Sequence, residues 1–341
     1  MKYLTFGEIM LRLKSPGYDR LFQTPTLEAT FGGGEANVAV SLANYGEDAE
    51  FITVLPANDI ADAAVRELKG LGVRTDRIVR APGRMGVYYL ETGANQRPSK
   101  VVYDRDYTSI ALADPDMFDW DEIFKDIGWF HITGITPALS KNAALIALKA
   151  VKAAKNNNVT VSCDLNYRKK LWNYGTDAKT IMSDIVRYTD VVIANEEDCQ
   201  KSLGLESRSD VEKGEIDTDE YKDLINRLLE LYPNVSKVAI TLRESRNANS
   251  NGWAACIGSK DSFYVSKHYD IDNIVDRVGG GDSFSGGLIY GLNNLGSDEK
   301  ALEFAVAASC LKHSINGDYN RVTADEVMNL VNGNGSGRVQ R

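Results

Sequence analysis

The chain has 341 residues, 43% of them hydrophobic and 26% charged, which fits a globular protein and excludes whole-chain disorder, collagen or coiled coil. Lysine plus arginine number 39 and aspartate plus glutamate 48, a formal charge of −9. That balance argues against nucleic acid or an anionic membrane as partner, although local arginines can still oppose the global field for a small anionic substrate.

Tyr3–Phe6 reads as a short strand ending at Gly7. Ala36–Tyr45 reads as a helix with Val38, Leu42 and Tyr45 on one face, closed by Gly46. Phe51–Leu55 is a buried strand, and Asp59 is expected to cap the helix carrying Ala61, Ala64, Val65 and Leu68. Further strands are expected at Trp129–Thr133, Val159–Leu165, Val191–Ala194 and Lys237–Leu242. Helices are expected at Ser140–Ala154, Thr176–Arg187 and Thr218–Leu231 between them. The strands are near-continuous apolar runs, as in strands covered on both faces, so the alternation argues a parallel sheet in an α/β layer fold.

Two segments break this rhythm. Leu11–Phe31 and Gly86–Tyr107 are rich in Tyr, Phe, Thr and Val with turn residues between. Met85–Glu91 and Lys100–Tyr107 flank a turn with Gly93, Asn95 and Pro98, which reads as a β-hairpin. This antiparallel insert is either a lid or an edge extension of the main sheet. Arg243–Gly252 reads as a long polar loop, and 333–341 as a flexible Gly/Ser/Asn-rich tail.

Cys163, Cys199, Cys256 and Cys310 form no C-x-x-C pair, which suits free thiols in a reducing cytoplasm. The N-terminus lacks the pattern of a signal peptide, and no apolar run approaches the roughly 18 residues of a membrane span. A cytoplasmic protein is therefore expected. With three histidines, none at i, i+4 spacing, histidine catalysis and histidine-rich metal sites are disfavoured.

Four clusters carry chemistry. In the first, Gly279, Gly280 and Gly281 precede Asp282 and a helical run through Gly286, Leu288, Ile289 and Leu292. Glycines at a helix start let backbone N–H groups converge where the helix dipole adds positive potential, which suits a phosphate. Asp282 is then either a first-turn charge or a general base beside an anion hole. No Lys follows at Walker A spacing, and the run is not G-x-G-x-x-G. In the second, Gly32, Gly33 and Gly34 open the Ala36 helix, where Asn37 could bond a polyol. The third is Asp164-Leu165-Asn166-Tyr167-Arg168 at a strand end, where open α/β sheets hold ligands. The fourth is Asn195-Glu196-Glu197-Asp198, which either holds magnesium through water or starts a helix.

Together these clusters resemble the ribokinase-like sugar kinases of the phosphofructokinase-B family, from the first strand to about Val331. Gly32–Gly46 is similar to that family's N-terminal signature and Asp276–Gly291 to its C-terminal one. The resemblance implies a ribokinase-like three-layer core (1–332) with a mostly parallel central sheet and a small β-sheet lid, segments 11–31 and 86–107. Within the family, Gly7–Leu13, Thr241–Ser245, Asp276–Phe284 and Lys312–Asp318 resemble the 2-keto-3-deoxygluconate kinases.

That likeness implies ATP-dependent phosphorylation of 2-dehydro-3-deoxy-D-gluconate at its 6-hydroxyl, with Mg²⁺ and room for a monovalent cation. Asp282 with Gly279, Gly280 and Gly281 would be catalytic. Gly33, Gly34, Asn37, Tyr89, Tyr103, Arg105 and Arg168 would bind substrate beside Asp282. Asn195, Thr241, Arg243, Gly279, Gly281 and Asn316 would bind ATP, and Glu197 and Asp198 would hold hydrated magnesium. Arg105 suits a carboxylate because a guanidinium fork matches it bidentately. Asp198 stands where many relatives carry Glu, one methylene longer. A kinase of a neutral sugar and a non-catalytic sugar or nucleotide sensor are the rival readings. Lids of this family often pair, so a homo-oligomer through the lid is expected.

Overall fold

The structure is a computed structural model that describes residues 1–206 and 218–335. The outer part of the expected tail, from position 336, lies outside the described residues.

The large sheet is built from strands that are apolar on both faces. From one edge its order is Phe263–Val265, Asn251–Gly258, Lys237–Ser245, Val191–Ala194, Thr160–Asp164, Trp129–Thr133, Lys2–Phe6 and Asp48–Ile52, with Tyr269–Ile271 also pairing Asn251–Gly258. The strands from Lys237–Ser245 to Asp48–Ile52 run parallel, and Asn251–Gly258 turns antiparallel at the other side. Alternate residues serve opposite cores, as a period of two dictates. Leu4, Phe130, Ile132, Val192 and Ile240 pack with Ile146, Met182 and Leu228 of the helices Lys141–Asn156, Ala178–Val186 and Thr218–Leu231. Tyr3, Trp129, Ile193 and Ala239 pack with Leu42, Phe284 and Ala305 of the helices Gly34–Asn44, Gly280–Asn294 and Asp298–Lys312. The result is the expected three-layer α/β core.

The hairpin belongs to a separate four-stranded sheet, ordered Glu28–Gly32, Met10–Lys14, Gly86–Glu91 and Lys100–Asp104. An edge extension of the main sheet is thereby excluded. Four expected details differ. The helix Asp59–Gly70 is capped by Asn58, whose side chain accepts from Ala61 N–H, rather than by Asp59. Asp59 is instead a first-turn charge, favourable at the positive end of the helix. Arg243–Gly252 is no long loop: Lys237–Ser245 and Asn251–Gly258 pair across it, leaving only a short turn. The strand predicted as Val159–Leu165 is Thr160–Asp164. The helix predicted as Thr176–Arg187 is Ala178–Val186, capped by Asp177.

Among the described residues, no helix is long and apolar enough to cross a membrane. All four cysteines are free.

Candidate active site

A cleft of about 1160 Å³ opens at the carboxyl ends of the parallel strands, roofed by Met10, Tyr88, Val101, Tyr103 and Arg105 around the small sheet. Open α/β sheets bind ligands at this end because strand-to-helix loops converge there. The two glycine runs, 247 positions apart from Gly32 to Gly279, both reach it: Gly33 and Gly34 line one wall, Gly279, Gly280 and Gly281 the other.

Asp282 sits in the first turn of Gly280–Asn294 and does not cap it; the N-cap is Gly279, with no side-chain cap bond. Gly279 has φ 82°, and a Cβ there would collide with the Asp318 carbonyl oxygen, so only glycine fits. At Gly33 a Cβ would strike the Glu8 carbonyl oxygen. The Asp282 carboxylate instead accepts a 2.7 Å hydrogen bond from Asn37 Nδ2, which joins the two glycine-led helices across the cleft. Burial pushes Asp282 up to about 6; the Asn37 bond opposes this, Asp318 adds to it, and Arg168 and Lys312 oppose it. A carboxyl with that pKa is a base that still exchanges its proton near neutrality.

Arg105 is 7% exposed and lies over the Tyr103 ring, 5.2 Å from its centroid. Its Nε donates to Glu8 Oε2 at 2.9 Å and its Nη2 bonds the same oxygen, so one edge of the guanidinium is taken and the Nη1 end is left. Arg105 is thus a buried, oriented cation rather than a solvated lid charge. Tyr89 is not among the cleft-lining residues; its ring lies 6.3 Å from Phe22 on the other face of the strand. Its neighbour Tyr88 faces the cleft and donates to Asp318. Strand periodicity places one of two adjacent tyrosines inward, and the sequence Tyr88-Tyr89 does not say which.

Asp318 also accepts from Arg12 Nη1 at 2.7 Å, and Arg12 Nη2 bonds Asp276. Asp276 in turn accepts from Val278 N–H and Gly317 N–H. This buried chain ties the small sheet to the loop that presents the Gly280 helix.

At the strand ends, Asp164, Asn195, Thr241 and Arg243 all line the cleft. Asn166 is there as well, bonding Asp164 through its N–H. Arg168 is exposed, lines the cleft, donates to the Tyr167 carbonyl at 3.0 Å and opposes the raised pKa values of Asp164, Asp198 and Asp282. Asn316 is not among the lining residues; its Oδ1 accepts from Lys14 Nζ at 3.0 Å.

Asp198 does start a helix: it closes a capping box with Asn195 and accepts from Tyr167 N–H at 2.8 Å. Glu197 is exposed to the cleft. Burial, then Asp198 and Asp282, hold Asp164 well above the usual carboxylate range, and burial raises Asp198 too. Among the described residues, no group of three or more His, Cys, Asp or Glu is placed to hold a metal alone. The neighbouring carboxyls Asp164 and Asp198, each disfavoured as an anion by burial, do fit a hydrated divalent cation held jointly with a ligand's phosphates, the usual manner for Mg²⁺.

Several cleft residues have no role of their own in the sequence reading: Glu8, Glu35, Tyr88, Arg277 and Asp318. Glu35 is wholly buried. Its Oε1 accepts from Thr133 N–H at 3.0 Å and from the Thr133 and Thr136 hydroxyls at 2.8 Å each. Burial pushes it up to about 7 against those bonds. Only an acidic residue in a helix first turn signals it, and that pattern is common. His131 and His313 are buried, and burial lowers them to about 3 and about 4, so both are neutral near pH 7.

The sequence profile described as pfkB family carbohydrate kinase matches residues 2–323. A Haloferax volcanii protein named 2-dehydro-3-deoxygalactonokinase is 30% identical over 98% of both chains. A Bacillus subtilis protein named 2-dehydro-3-deoxygluconokinase is 24% identical over 95% of this chain and 93% of its own. The crystal structure of 2-dehydro-3-deoxygluconokinase from Thermotoga maritima superposes with a TM-score of 0.92 at 46% identity, covering 98% of this chain and 100% of that one.

Proposed function

The chain belongs to the pfkB family of carbohydrate kinases, and from that premise we propose that it transfers the γ-phosphoryl group of ATP to the 6-hydroxyl of 2-dehydro-3-deoxy-D-gluconate. The observation that carries this reading is Asp282, held by Asn37 at the open end of the Gly279–Gly281 helix start, in one cleft with the oriented Arg105.

The substrate hydroxyl oxygen forms a bond to the γ-phosphorus as the bond to the β,γ-bridging oxygen breaks, and ADP leaves with that electron pair. The hydroxyl proton passes to Asp282, which the Asn37 amide keeps aimed. Backbone N–H groups of Gly279, Gly280 and Gly281, with the helix dipole, take the charge spread over the transferred oxygens. Phosphoryl transfer needs positioning and electrostatics more than covalent help, so uncapped backbone N–H groups serve it well. Arg168, exposed in the same cleft, holds the phosphoryl group. Arg105 reads the sugar carboxylate with its free end, and Gly33, Gly34 and Tyr103 line the polyol. Mg²⁺ supplies neutralisation of the phosphate oxygens, and Glu197, Asp198 and Asp164 would hold its hydrated ion.

The test is a substrate panel with ATP and Mg²⁺, in Na⁺ and in K⁺ buffers, coupled to ADP release. It compares the gluconate-derived keto-deoxy acid with fructose, ribose and gluconate. Turnover on a neutral sugar equal to that on the acid overturns the reading, and binding without turnover identifies a sensor. The Haloferax relative favours one second reading, the galactose-derived epimer, which is added to the panel as a further arm. Arg105→Ala is expected to raise KM for the acid about tenfold or more while KM for ATP stays within about twofold. An equal rise in both removes Arg105 from substrate recognition.

The free cysteines suit a cytoplasmic enzyme. Phe22, 72% exposed beside Tyr89 on the outer face of the small sheet, is the contact we assign to a second copy. Light scattering that finds only monomer refutes that assignment.

A further inference from the structure

Three arginines in the cleft, Arg168, Arg243 and Arg277, have no ion-pair partner among the described residues, whereas Arg105 is matched by Glu8. Arg277 is the half-buried one, directly before the Val278-Gly279 turn that leads into the Gly280 helix. Its neighbour Asp276 is already committed to Arg12 and to two backbone N–H groups. Arg277 Nη2 donates to the carbonyls of Asn247 at 3.2 Å and Ala248 at 2.7 Å. That leaves Nε and Nη1 without protein partners among the described residues.

The turn it grips is itself fixed: Ala248 N–H donates to the Asn95 carbonyl at 2.8 Å, and Asn249 Oδ1 accepts from Asn95 N–H at 2.7 Å. Arg277 is therefore held at its rim while its other donors stay free. Burial lowers its pKa, Arg243 lowers it further and Asp276 opposes both. Arg243 lines the same cleft from the end of the strand Lys237–Ser245. Two guanidiniums that line the cleft with a helix N-terminus lacking a side-chain cap offer a polyanion charge-assisted hydrogen bonds together with the helix dipole.

We propose that Arg277, with Arg243, forms a guanidinium clamp on the β-phosphate of the bound nucleotide, gripping it before and after transfer. This rests on the kinase reading above. It adds Arg277 as a residue that grips the nucleotide's phosphates and so discriminates a nucleoside di- or triphosphate from adenosine. The clamp faces a phosphate that stays with the nucleotide, so its effect appears without any sugar.

Isothermal titration of ADP and of adenosine into the full chain, free of sugar, tests it. Arg277→Met is expected to weaken ADP by about ten- to a hundredfold and leave adenosine unchanged. Arg277→Lys keeps the charge but not the fork and is expected to lose about tenfold for ADP alone. It carries the test if the Met variant does not fold, as thermal unfolding will show. A parallel loss for ADP and adenosine, or no loss in either variant, overturns the clamp. Failure of the unmodified chain to bind ADP at all overturns the kinase reading itself, whereas a wrong choice of sugar leaves every one of these titrations intact.

Discussion

Gly34–Asn44 and Gly280–Asn294 begin alike. Each follows a glycine N-cap with no side-chain cap bond, each carries one acid in its first turn, and each opens on the same cleft. Their acids differ in fate. Glu35 spends its Oε1 on three donors from the Thr133–Thr136 segment and is fully enclosed. Asp282 has one side-chain donor, Asn37, and remains within reach of the cleft. Burial raises both, to about 7 and about 6. Local sequence made two equivalent sites; tertiary partners made one a strut and left the other free to accept a proton.

The sharpest way to break this comparison is Asp282→Asn. Asn keeps an acceptor for Asn37 but cannot take the hydroxyl proton, so turnover is expected to fall at least about a hundredfold, with the sugar still bound. The same variant is expected to melt higher near pH 7, because it removes a carboxylate that burial disfavours in its ionised form. Near-normal turnover in a steady-state assay would falsify the assignment of Asp282 as base.

Glu35 should respond in stability. Glu35→Ala strands three buried donors and is expected to cost about 2–4 kcal/mol in denaturant unfolding, whereas Glu35→Gln keeps an acceptor and stays close to the unmodified protein. The pH dependence separates the two acids further. A carboxyl whose folded pKa is raised contributes stability at low pH that is lost as pH climbs through the folded value. For Glu35 that window runs from its ordinary 4.5 to about 7, and for Asp282 from 3.8 to about 6. Stability of the unmodified protein should therefore fall between pH 4 and 7. Glu35→Gln should flatten chiefly the upper part. Loss of the lower part alone would mean that the two roles have been exchanged.

The parallel core was legible because its strands are buried on both faces: Trp129–Thr133 and Val191–Ala194, and the covering helix Thr218–Leu231, fall where hydrophobic pattern alone places them. Lys237–Ser245 overran its prediction because its last residues, Arg243, Glu244 and Ser245, are exposed or half-buried as it enters the cleft, and polar side chains there look like loop. The glycine runs and Asp282 were visible as local motifs. Arg12, 306 positions from Asp318, was not, since no local signal marks a pair made only by folding. Tyr88 and Tyr89 show the same limit at short range, because register, not composition, turns one of them inward. Glu8 is the instructive omission: an acid beside an arginine proposed to read an acid runs against simple charge matching. It is explained only once Arg105 is seen to need one edge anchored to leave the other aimed.

The mildest perturbation acts on the bond that distinguishes Asp282 from Glu35. Asn37 Nδ2 stabilises the ionised carboxylate and holds its pKa down against burial. Asn37→Ala removes that donor, so the carboxyl should titrate higher and the acid limb of the kcat/KM profile should move to higher pH. Above the limb Asp282 is ionised in both proteins, and turnover there should fall only severalfold, from looser aim, so the deficit grows as the medium is acidified. Asn37 also accepts from Gly33 N–H, at 3.3 Å, so some rise in KM for the sugar accompanies the shift. A uniform loss at every pH, with the limb unmoved, would show that Asn37 shapes the wall and does not tune the base. Asp282 would then owe its proton affinity to burial alone, as Glu35 does, and the contrast between the two helix starts would rest on access to the cleft.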